Sequence, residues 1–516
     1  MRIDKLWIGH FKNLDNFTID FDESQLTSVL IGENGTGKSN IVEAIITIFR
    51  NLDLGQAPTF PFVIQYQCRG HSIVVSTDSS NRSKYEKVTV DGIALPRSQF
   101  HNQKERYLPN YVFAYYSGVN RRIESLFDKH QKQFSDALLA GDSKPLRRLF
   151  LCRLEHSAFV LLAYFSLADA ASHEFLEEYL GVTGLESVLF VLREPWWAKN
   201  RHSSAQGDSR FWHARGVVSE FLNQLWDHSL APIYDVATIQ EDYLSQPAKE
   251  PRLYLFLKDE RELLQLASSY KSQQEFFKNL ESMYISDLVR EVRVRVTRRG
   301  VNGNVIFKEL SEGEQQLLTV MGLLKFTKDE ESLFLLDEPD THLNPSWKLN
   351  YLSLLERVVG ENSSSHLIIA THDPLVIAGL SRGQVQILTR ESDKVVAHPP
   401  SVDPRGLGVA GVLHQMFGLP STLDPGTQAK LDRRNELFAK SSRSLEETDE
   451  MRIISDELAE LGFNLVFRDP LYSRFVRAIA EREKHNHLTL TQDEIELQER
   501  VANQILDEIL TKEKVQ

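Results

Sequence analysis

Two β-rich stretches of the chain lie on either side of a region with helical periodicity. Short apolar runs and alternating segments predict strands at 3–11, 16–21, 26–31, 60–77, 85–90, 111–118, 290–300, 304–310, 332–336 and 366–370. Some of these runs, such as 26-LTSVLI-31 and 366-HLIIA-370, are almost entirely apolar. Such runs are typical of strands that are buried on both faces of a sheet.

Helical periods broken by short turns fill the central region, where Gly181 and Gly184 are among the turn signals and no sustained heptad repeat occurs. A junction rich in proline and glycine, 397–408, leads into a second helical region. We therefore predict one α/β head with a mixed sheet, formed by two parts of the chain, with an insertion between them and a C-terminal region that binds a partner. The segments are 1–118 and 290–396 for the head, 119–289 for a helical insertion and 397–516 for a helical C-terminal region.

The composition is that of a globular protein. The 516 residues are 41% hydrophobic and carry a net charge of −13, which argues against a wholly basic nucleic-acid coat. Cys68 and Cys152 are far apart and form no CxxC pattern. The most apolar run, 157–171, is shorter than the roughly 20 residues of a membrane helix and predicts a buried helix. The N-terminus shows no apolar signal region, so we expect a cytoplasmic protein without membrane contact.

A phosphate-binding loop is the strongest local signal. Residues 32-GENGTGKS-39 follow an apolar strand and precede the helical pattern 40–50. Glycines let the loop curl so that its N–H groups face phosphate oxygens. Lys38 is predicted to reach the β- and γ-phosphates of ATP, and Ser39 to bind Mg²⁺. The residues predicted to contact the nucleotide are Gly32, Asn34, Gly35, Thr36, Gly37, Lys38, Ser39 and Asn40.

A pair of acids follows the apolar run 333-LFLL-336. Adjacent acids are often part of a solvated loop, but open α/β sheets bind ligands at the carboxyl ends of their strands. Beside a phosphate-binding loop, Asp337 is predicted to bind Mg²⁺ together with Ser39. Glu338 is predicted to be the general base that activates the attacking water.

The apolar run 366–370 ends in Thr371 and His372. A lone histidine is more often a structural hydrogen-bonding group than a catalytic one. This strand is expected beside the Asp337 strand, with both ending at the same sheet edge. We therefore predict a catalytic role for His372, in contact with the γ-phosphate or the attacking water.

The stretch 308-KELSEGEQQLL-318 predicts a helix start. Ser311 followed three residues later by Glu314 is a capping-box pattern. Gly313 is unusual in a first turn because glycine lowers helix stability. Because the loop 32–39 already holds the phosphates of its own chain, the glycine fits a close approach of another subunit's γ-phosphate, and the free N–H groups of the helix start fit that anion.

Four motifs resemble those of the ABC-type ATPase head of transporters, SMC, RecF and OLD-type proteins, both in their residues and in their order along the chain. They are GENGTGKS, LSEGEQ, LLDEPDTHLNP and ATHDP. The resemblance implies an α/β fold whose mixed β-sheet has a P-loop core. It also implies an ATP-sandwich homodimer with bound Mg²⁺, in which Ser311, Gly313 and Glu314 contact the nucleotide held by the other subunit.

Two positions depart from that pattern. Asn344 stands where transporters usually carry Asp, and DEPDTHLNP is closer to OLD-type and related defence ATPases. The segment expected to hold a metal-contacting glutamine offers Tyr115, Tyr116 and Ser117 instead. The residue that replaces this glutamine stays open.

The remaining parts of the chain indicate which type of ATPase this protein resembles. The insertion is longer than that of a transporter subunit, lacks the heptads of an SMC arm, and no DxD pair of a Toprim nuclease follows residue 400. The layout, with 412-VLHQMFGLPSTLD-424 in the tail, resembles the Septu family of antiphage ATPases and its retron-associated form. This resemblance implies a separate HNH-type nuclease subunit as partner, and in the retron form a reverse transcriptase with its RNA–DNA hybrid.

The letters 485-HNH-487 are not a nuclease site, because that class uses separated residues on a ββα metal fold. Arg293 and Arg295 alternate with valines within the basic strip 290–299, where solvated strand charges and phosphate-backbone contact both remain open. Arg121, Arg122 and the loop 193–202 fit nucleic-acid stacking or a protein anchor equally well. The alternatives to a defence switch are a RecF/SMC-like DNA-repair ATPase and a stand-alone enzyme with its own nuclease chemistry.

Overall fold

A computed structural model describes residues 1–77, 86–118, 120–142, 147–167, 169–198, 207–240, 244, 246–301, 303–327, 331–359, 364–391, 393–440, 442–461 and 463. The chain forms two compact units. The first comprises Met1–Val376 and Gly383–His398, and the second comprises Ile377–Arg382 and Pro399–Gln516.

All strands of the described residues belong to the first unit. They are β1 (Arg2–Phe11), β2 (Leu14–Asp20), β3 (Thr27–Gly32), β4 (Phe62–Cys68), β5 (His71–Thr77), β6 (Glu86–Val90), β7 (Ile93–Leu95), β8 (Val112–Tyr116), β9 (Leu149–Cys152), β10 (Val182–Arg193), β11 (Ile233–Ile239), β12 (Ala248–Leu257), β13 (Val289–Arg298), β14 (Asn304–Ile306), β15 (Leu333–Asp337), β16 (His366–Ala370), β17 (Val385–Glu391) and β18 (Lys394–His398). Every stretch that the hydrophobic pattern predicts as strand overlaps one of them, whereas β7, β9 to β12, β17 and β18 lie outside the predicted stretches.

The described α-helices are distributed over both units. They are α1 (Lys38–Leu54), α2 (Arg97–Asn102), α3 (Lys104–Tyr107), α4 (Asp128–Ala140), α5 (His156–Phe165), α6 (Ala170–Leu180), α7 (Gly216–Asp227), α8 (Glu260–Ala267), α9 (Gln273–Ile285), α10 (Glu312–Thr327), α11 (Pro345–Val359), α12 (Pro374–Ile377), α13 (Gly408–Phe417), α14 (Pro425–Ala439) and α15 (Leu445–Glu460).

A seven-stranded sheet forms the centre of the first unit, in the order β18-β17-β3-β16-β15-β8-β9. Neighbouring strands from β17 to β9 are parallel, and β18 pairs antiparallel with β17. All residues of β3, β15 and β16 are buried, as their apolar runs predict. This mixed sheet, with the P-loop directly after β3, confirms the predicted α/β fold with a P-loop core.

Helix α1 lies in a hydrophobic core that both the central sheet and a second sheet enter. The second sheet is antiparallel and has the order β2-β1-β4-β5-β6-β7. Most α1 side chains from Ile41 to Leu52 are buried, so the helix is packed against its neighbours along most of its length. The P-loop is therefore held between a rigid strand and a fully packed helix.

The predicted helical insertion 119–289 is only partly helical. Helices α4 to α9 are present, but β9, β10, β11 and β12 also lie in this segment. Strand β9 belongs to the central sheet, and β10 to β12 join β13 and β14 in a five-stranded sheet of order β11-β12-β10-β13-β14. Gly184, expected in a turn, lies within β10 where the pairing with β13 shifts register. The prediction of a wholly helical insertion is therefore wrong, because strand pairing over about 100 residues outweighs the local helical signal.

The described part of the second unit is helical. Helices α14 and α15 pack together, with Leu437 and Leu458 fully buried. Helix α13 ends at Gly418, within the 412–424 stretch that the sequence singles out. The letters at 485–487 lie outside the described residues. Across the residues that the structure describes, no helix is both long and apolar enough to span a membrane.

Candidate nucleotide-binding site

The three predicted motifs lie at one edge of the central sheet. Strands β3, β16 and β15 are neighbours, and each ends at this edge. The P-loop follows β3, Asp337 is the last residue of β15, and His372 lies two residues after β16. In the pairing register Asp337 is opposite Ala370. The sheet topology thus brings together groups that are more than 300 residues apart in sequence.

The P-loop has a backbone that requires glycine at two places. Gly37 has a φ of 100° and precedes α1, and a Cβ there would lie 3.0 Å from the Asn13 side chain. Gly32 has a φ of 148°, and its Cβ would lie 2.4 Å from the carbonyl oxygen of Leu388. Asn13 also donates to the carbonyl of Gly35 at 2.9 Å. The turn between β1 and β2 therefore supports the loop from outside.

Lys38 is buried beneath the P-loop. Its Nζ donates to the carbonyl oxygens of Gly32 at 2.7 Å and Glu33 at 3.3 Å. Burial lowers the pKa of Lys38, while the nearby Glu338 and Asp337 carboxylates raise it. Phosphate oxygens are stronger acceptors for an ammonium group than peptide carbonyls are. The side chain thus lies where it can exchange loop carbonyls for phosphate oxygens.

Asp337 fits the chemistry of a magnesium ligand. Both of its carboxylate oxygens are buried and lack a hydrogen-bond partner among the described residues. Burial raises its pKa to about 6, while the Ser39 hydroxyl and the charges of Arg122 and Lys38 lower it. A divalent cation offsets such a burial cost, and Mg²⁺ is usually held by one or two protein oxygens together with nucleotide phosphates. The described residues form no cluster of three or more acids, histidines or cysteines that could hold a metal without such phosphates.

Glu338 has a strained backbone and a histidine partner. Its φ of 55° lies in the left-handed region, which non-glycine residues seldom occupy. Its N–H donates to the Ala370 carbonyl at 2.8 Å, so the chain turns at once after β15. The Nδ1 of His372 lies 2.7 Å from Glu338 Oε1. The sheet edge therefore combines a partly exposed carboxylate with an imidazole that can orient it.

Asp340, the second Asp of 337-DEPD-340, is a site residue that sequence reasoning missed. The residue is buried and accepts a hydrogen bond from the Thr371 hydroxyl at 3.0 Å. Burial raises its pKa to about 6, and the Thr371 bond opposes this shift. Asp340 thus ties the loop after β15 to the loop after β16. Its position three residues after Asp337 was the available signal.

The segment in the place of a glutamine loop ends beside Asp337. Tyr116 pairs with Asp337 in the sheet, and the N–H of Ser117 donates to the Asp337 carbonyl at 3.3 Å. Tyr115 is buried. The Thr341 hydroxyl lies 3.4 Å from that of Ser117. The substitute side chains therefore border the site through the backbone of β8 and the loop after β15.

The predicted capping box is present at the start of α10. The N–H and the hydroxyl of Ser311 both donate to Glu314 Oε2 at 2.8 Å, and the N–H of Glu314 lies 3.3 Å from Ser311 Oγ. Arg298, at the end of β13, forms an ion pair with Glu314. Ser311 itself is exposed. This helix start is firmly built and open to solvent.

Gly313 is required by a neighbour in the same chain. A Cβ at Gly313 would lie 2.3 Å from the carbonyl oxygen of His342. The amide of Gln316, one turn further along α10, donates to the carbonyl of Pro339. The group that approaches Gly313 closely is therefore backbone of the loop after β15 in the same chain, and not the predicted γ-phosphate of another subunit. The glycine therefore gives no independent support for a second subunit.

The positively charged residues have different surroundings. Arg293 and Arg295 are exposed on one face of β13, and Val292, Val294 and Val296 are buried on the other. Arg121 is exposed as well, whereas Arg122 is partly buried and contacts Glu43 and Asn40 of α1.

The tryptophans of the loop 193–202 also differ. Trp196 is 63% exposed, whereas Trp197 is buried and donates to the Ser286 carbonyl at 2.8 Å. Residues 199–202 of this loop lie outside the described part of the chain. Of the two tryptophans, Trp196 therefore remains a candidate anchor for a partner.

Two family models match parts of the chain. A model described as "AAA ATPase domain" matches residues 1–106, and one described as "AAA domain, putative AbiEii toxin, Type IV TA system" matches residues 191–378. The first includes the P-loop, and the second includes the helix start at Ser311 and the acids after β15. Both models describe ATPase-type domains.

Curated relatives are two proteins named Septu protein PtuA. The protein of Bacillus mycoides (strain KBAB4) is 26% identical over 197 residues, which are 36% of this chain and 27% of the relative. The protein of Bacillus thuringiensis is 25% identical over 169 residues, 30% of this chain and 40% of the relative. The alignments thus span less than half of these relatives. The chain is an ATPase-type protein that resembles PtuA in sequence.

Solved structures with a detectable likeness include SMC heads. The SMC head domain from Thermotoga maritima matches with 12% identity and a TM-score of 0.33, covering 78% of this chain and 100% of that one. An SmcHead bound to the C-winged helix domain of ScpA matches with 14% identity and a TM-score of 0.33, covering 77% of this chain and 97% of that one.

Proposed function

We propose that this chain is the ATP-binding and ATP-hydrolysing switch subunit of an antiphage defence complex, an ABC-type ATPase that acts as a homodimer. The observation that carries the proposal is the meeting of the P-loop, Asp337, Glu338 and His372 at one sheet edge. The sequence likeness to the Septu proteins supports the defence role.

The residues of the chain divide the chemistry among them. Lys38 and the P-loop N–H groups hold the phosphates, and Ser39 and Asp337 hold Mg²⁺, which neutralises charge on the transferring phosphoryl group. Glu338 accepts the proton of the attacking water. His372 hydrogen-bonds to Glu338 and fixes its orientation.

The homodimer part of the proposal rests on the helix start at Ser311. Within the chain, the start of α10 contacts Arg298, Pro339 and His342. The P-loop contacts a different set of residues, which includes Asn13. A capped, exposed helix start attracts an anion. The γ-phosphate held by a second subunit is the anion that the resemblance to ABC-type heads assigns to it.

The partner in this proposal is a separate HNH-type nuclease, which the ATPase holds inactive until infection perturbs the complex. A retron reverse transcriptase with its RNA–DNA hybrid is a further partner in the retron-associated form. The described C-terminal helices α13 to α15 are the surface we assign to partner binding. A neighbouring reading frame with a ββα nuclease pattern would identify the nuclease.

Sedimentation with and without ATP tests the proposed switch. Wild-type chain of 59.2 kDa is expected to sediment as a monomer without nucleotide and as a dimer with Mg²⁺ and ATP, with phosphate released over time. Lys38→Ala is the control, because it removes the phosphate contact and should abolish both effects. Wild-type protein that neither shifts nor releases phosphate would contradict the proposal.

A second candidate is a RecF/SMC-like ATPase that binds DNA directly. The observation in its favour is the exposed face of β13, where Arg295 has no acidic partner among the described residues. Arg293 and Lys308 share a single acid, Glu291. Exposed cations in a row fit a phosphate backbone.

Charge reversal separates the two candidates. If the isolated chain binds DNA through β13, the double variant Arg293→Glu, Arg295→Glu should weaken binding and lower the salt slope by about 0.9 for each phosphate that is no longer neutralised. Arg390→Glu, an exposed arginine on β17, is the matched control. Equal binding by both variants would exclude this face as a DNA site.

A further inference from the structure

Arg122 reaches the nucleotide-binding site from the end of β8. The chain passes Ser117, which bonds to the backbone of Asp337, and then turns so that Arg122 meets the first turns of α1. There its Nε donates to Glu43 Oε2 at 2.7 Å and its Nη2 donates to Asn40 Oδ1 at 2.6 Å. Asn40 directly follows Ser39, the predicted magnesium ligand. One side chain therefore ties the end of β8 to the start of the P-loop helix.

Neutralising Glu43 does not by itself account for Arg122. Glu43 is buried and is also paired with Lys12, from the turn after β1. Lys12 already neutralises the Glu43 carboxylate, so Arg122 is not needed for charge balance alone. Arg122 also donates to Asn40. The side-chain amide of Asn40 in turn donates to Asn13, and Asn13 donates to the carbonyl of Gly35. Arg122 thus completes a hydrogen-bonded chain that surrounds the P-loop.

Arg122 is partly buried, so the field of its charge is less screened than that of an exposed arginine. Arg122 follows the segment in which ABC-type heads carry a glutamine and this chain does not.

We propose that Arg122 is the positioning residue of this site, fixing Ser39 and the first turn of α1 against Asp337 in place of a glutamine-loop side chain. The proposal rests on the proposed ATPase function. Through its fork, Arg122 acts on Asn40 and Glu43 and leaves the phosphates to Lys38. It therefore governs how fast bound ATP is hydrolysed more than how tightly ATP binds.

Steady-state kinetics of three variants test this role in the full chain. Arg122→Gln is expected to lower kcat by roughly 10- to 100-fold, the size of effect that misplaced reacting groups produce, with KM for ATP changed by less than about threefold. Arg122→Lys keeps the charge but loses the fork, so it should recover part of kcat. Arg121→Gln is the matched control, because Arg121 is exposed and pairs only with Glu124 and Asp128 among described residues.

Titration with a fluorescent ATP analogue gives the concentration of intact sites, and kcat is expressed per site so that misfolding does not mimic the effect. A kcat per site within twofold of wild type in Arg122→Gln would overturn the proposal. If that variant fails to fold, Arg122→Lys decides, with a wild-type kcat overturning it and a reduced kcat at unchanged KM supporting it. Absence of hydrolysis in wild-type protein would instead overturn the proposed function.

Discussion

Replacing Glu338 by Gln is expected to leave ATP binding intact and to slow hydrolysis by roughly 10²- to 10⁴-fold, the usual loss when a positioned base or charge-stabilising group is removed. The amide has nearly the shape of the carboxylate but cannot accept a proton from water. Lys38 and the P-loop are untouched, so nucleotide still enters. Because the ATP-bound dimer can then no longer dissociate through ATP hydrolysis, sedimentation in Mg²⁺ and ATP should show the dimer accumulating.

The control for Glu338→Gln is the same substitution at another glutamate of the central sheet. Glu391 is exposed on β17, and Glu391→Gln should hydrolyse ATP at the wild-type rate. His372→Ala should give a smaller loss than Glu338→Gln, since the histidine acts through its contact of 2.7 Å with the glutamate. Hydrolysis at the wild-type rate by Glu338→Gln would assign the base to another residue.

Ser311→Arg is expected to abolish the ATP-induced dimer while leaving ATP binding by the monomer within about threefold of wild type. A long cation at the exposed helix start occupies the space that a second subunit's phosphate would enter. Hydrolysis should fall with the dimer. Titration with an ATP analogue and sedimentation of the same sample separate the two effects.

The substitution also removes the helix cap, so two controls are needed. Ser311→Ala removes the two hydrogen bonds between the hydroxyl and Glu314 without adding bulk, and should cost about 1 kcal/mol of stability while the dimer still forms. Ser311→Thr keeps the hydroxyl and should behave as wild type in stability. An ATP-induced dimer in Ser311→Arg would remove this helix start from the interface.

Local signals were sufficient for four strands of the central sheet, β3, β8, β15 and β16, but β9, β17 and β18 were not predicted. The strand, loop and helix around 32-GENGTGKS-39 are contiguous in sequence, and the apolar runs ending at Leu336 and Ala370 are long enough to predict buried strands. The insertion was harder because β10 pairs with β13, across about 100 residues. A strand whose partner is so distant carries no local mark of that pairing, and Gly184 within it has the local pattern of a turn.

The candidate site shows the same limit at the level of single residues. Glu338 and His372 could be predicted because each closely follows a strand of the sheet. Arg122 could not, since its inward direction depends on Asn40 and Glu43, about 80 residues earlier. The reason for Gly313 lay in the carbonyl of His342, which no spacing rule reveals. The role of a residue could not be predicted from the sequence where it depends on contacts with residues that are distant along the chain.

The contact of Gly313 with His342, together with that of Gln316 with Pro339, has a mechanical consequence. It clamps the front of α10 to the loop that carries Glu338. If two copies enclose ATP, each subunit presents its α10 start to its partner's nucleotide. Any rearrangement around one Glu338 then displaces a wall of the opposite site. Such a pair would hydrolyse its two ATP molecules cooperatively, with each turnover reporting on the other.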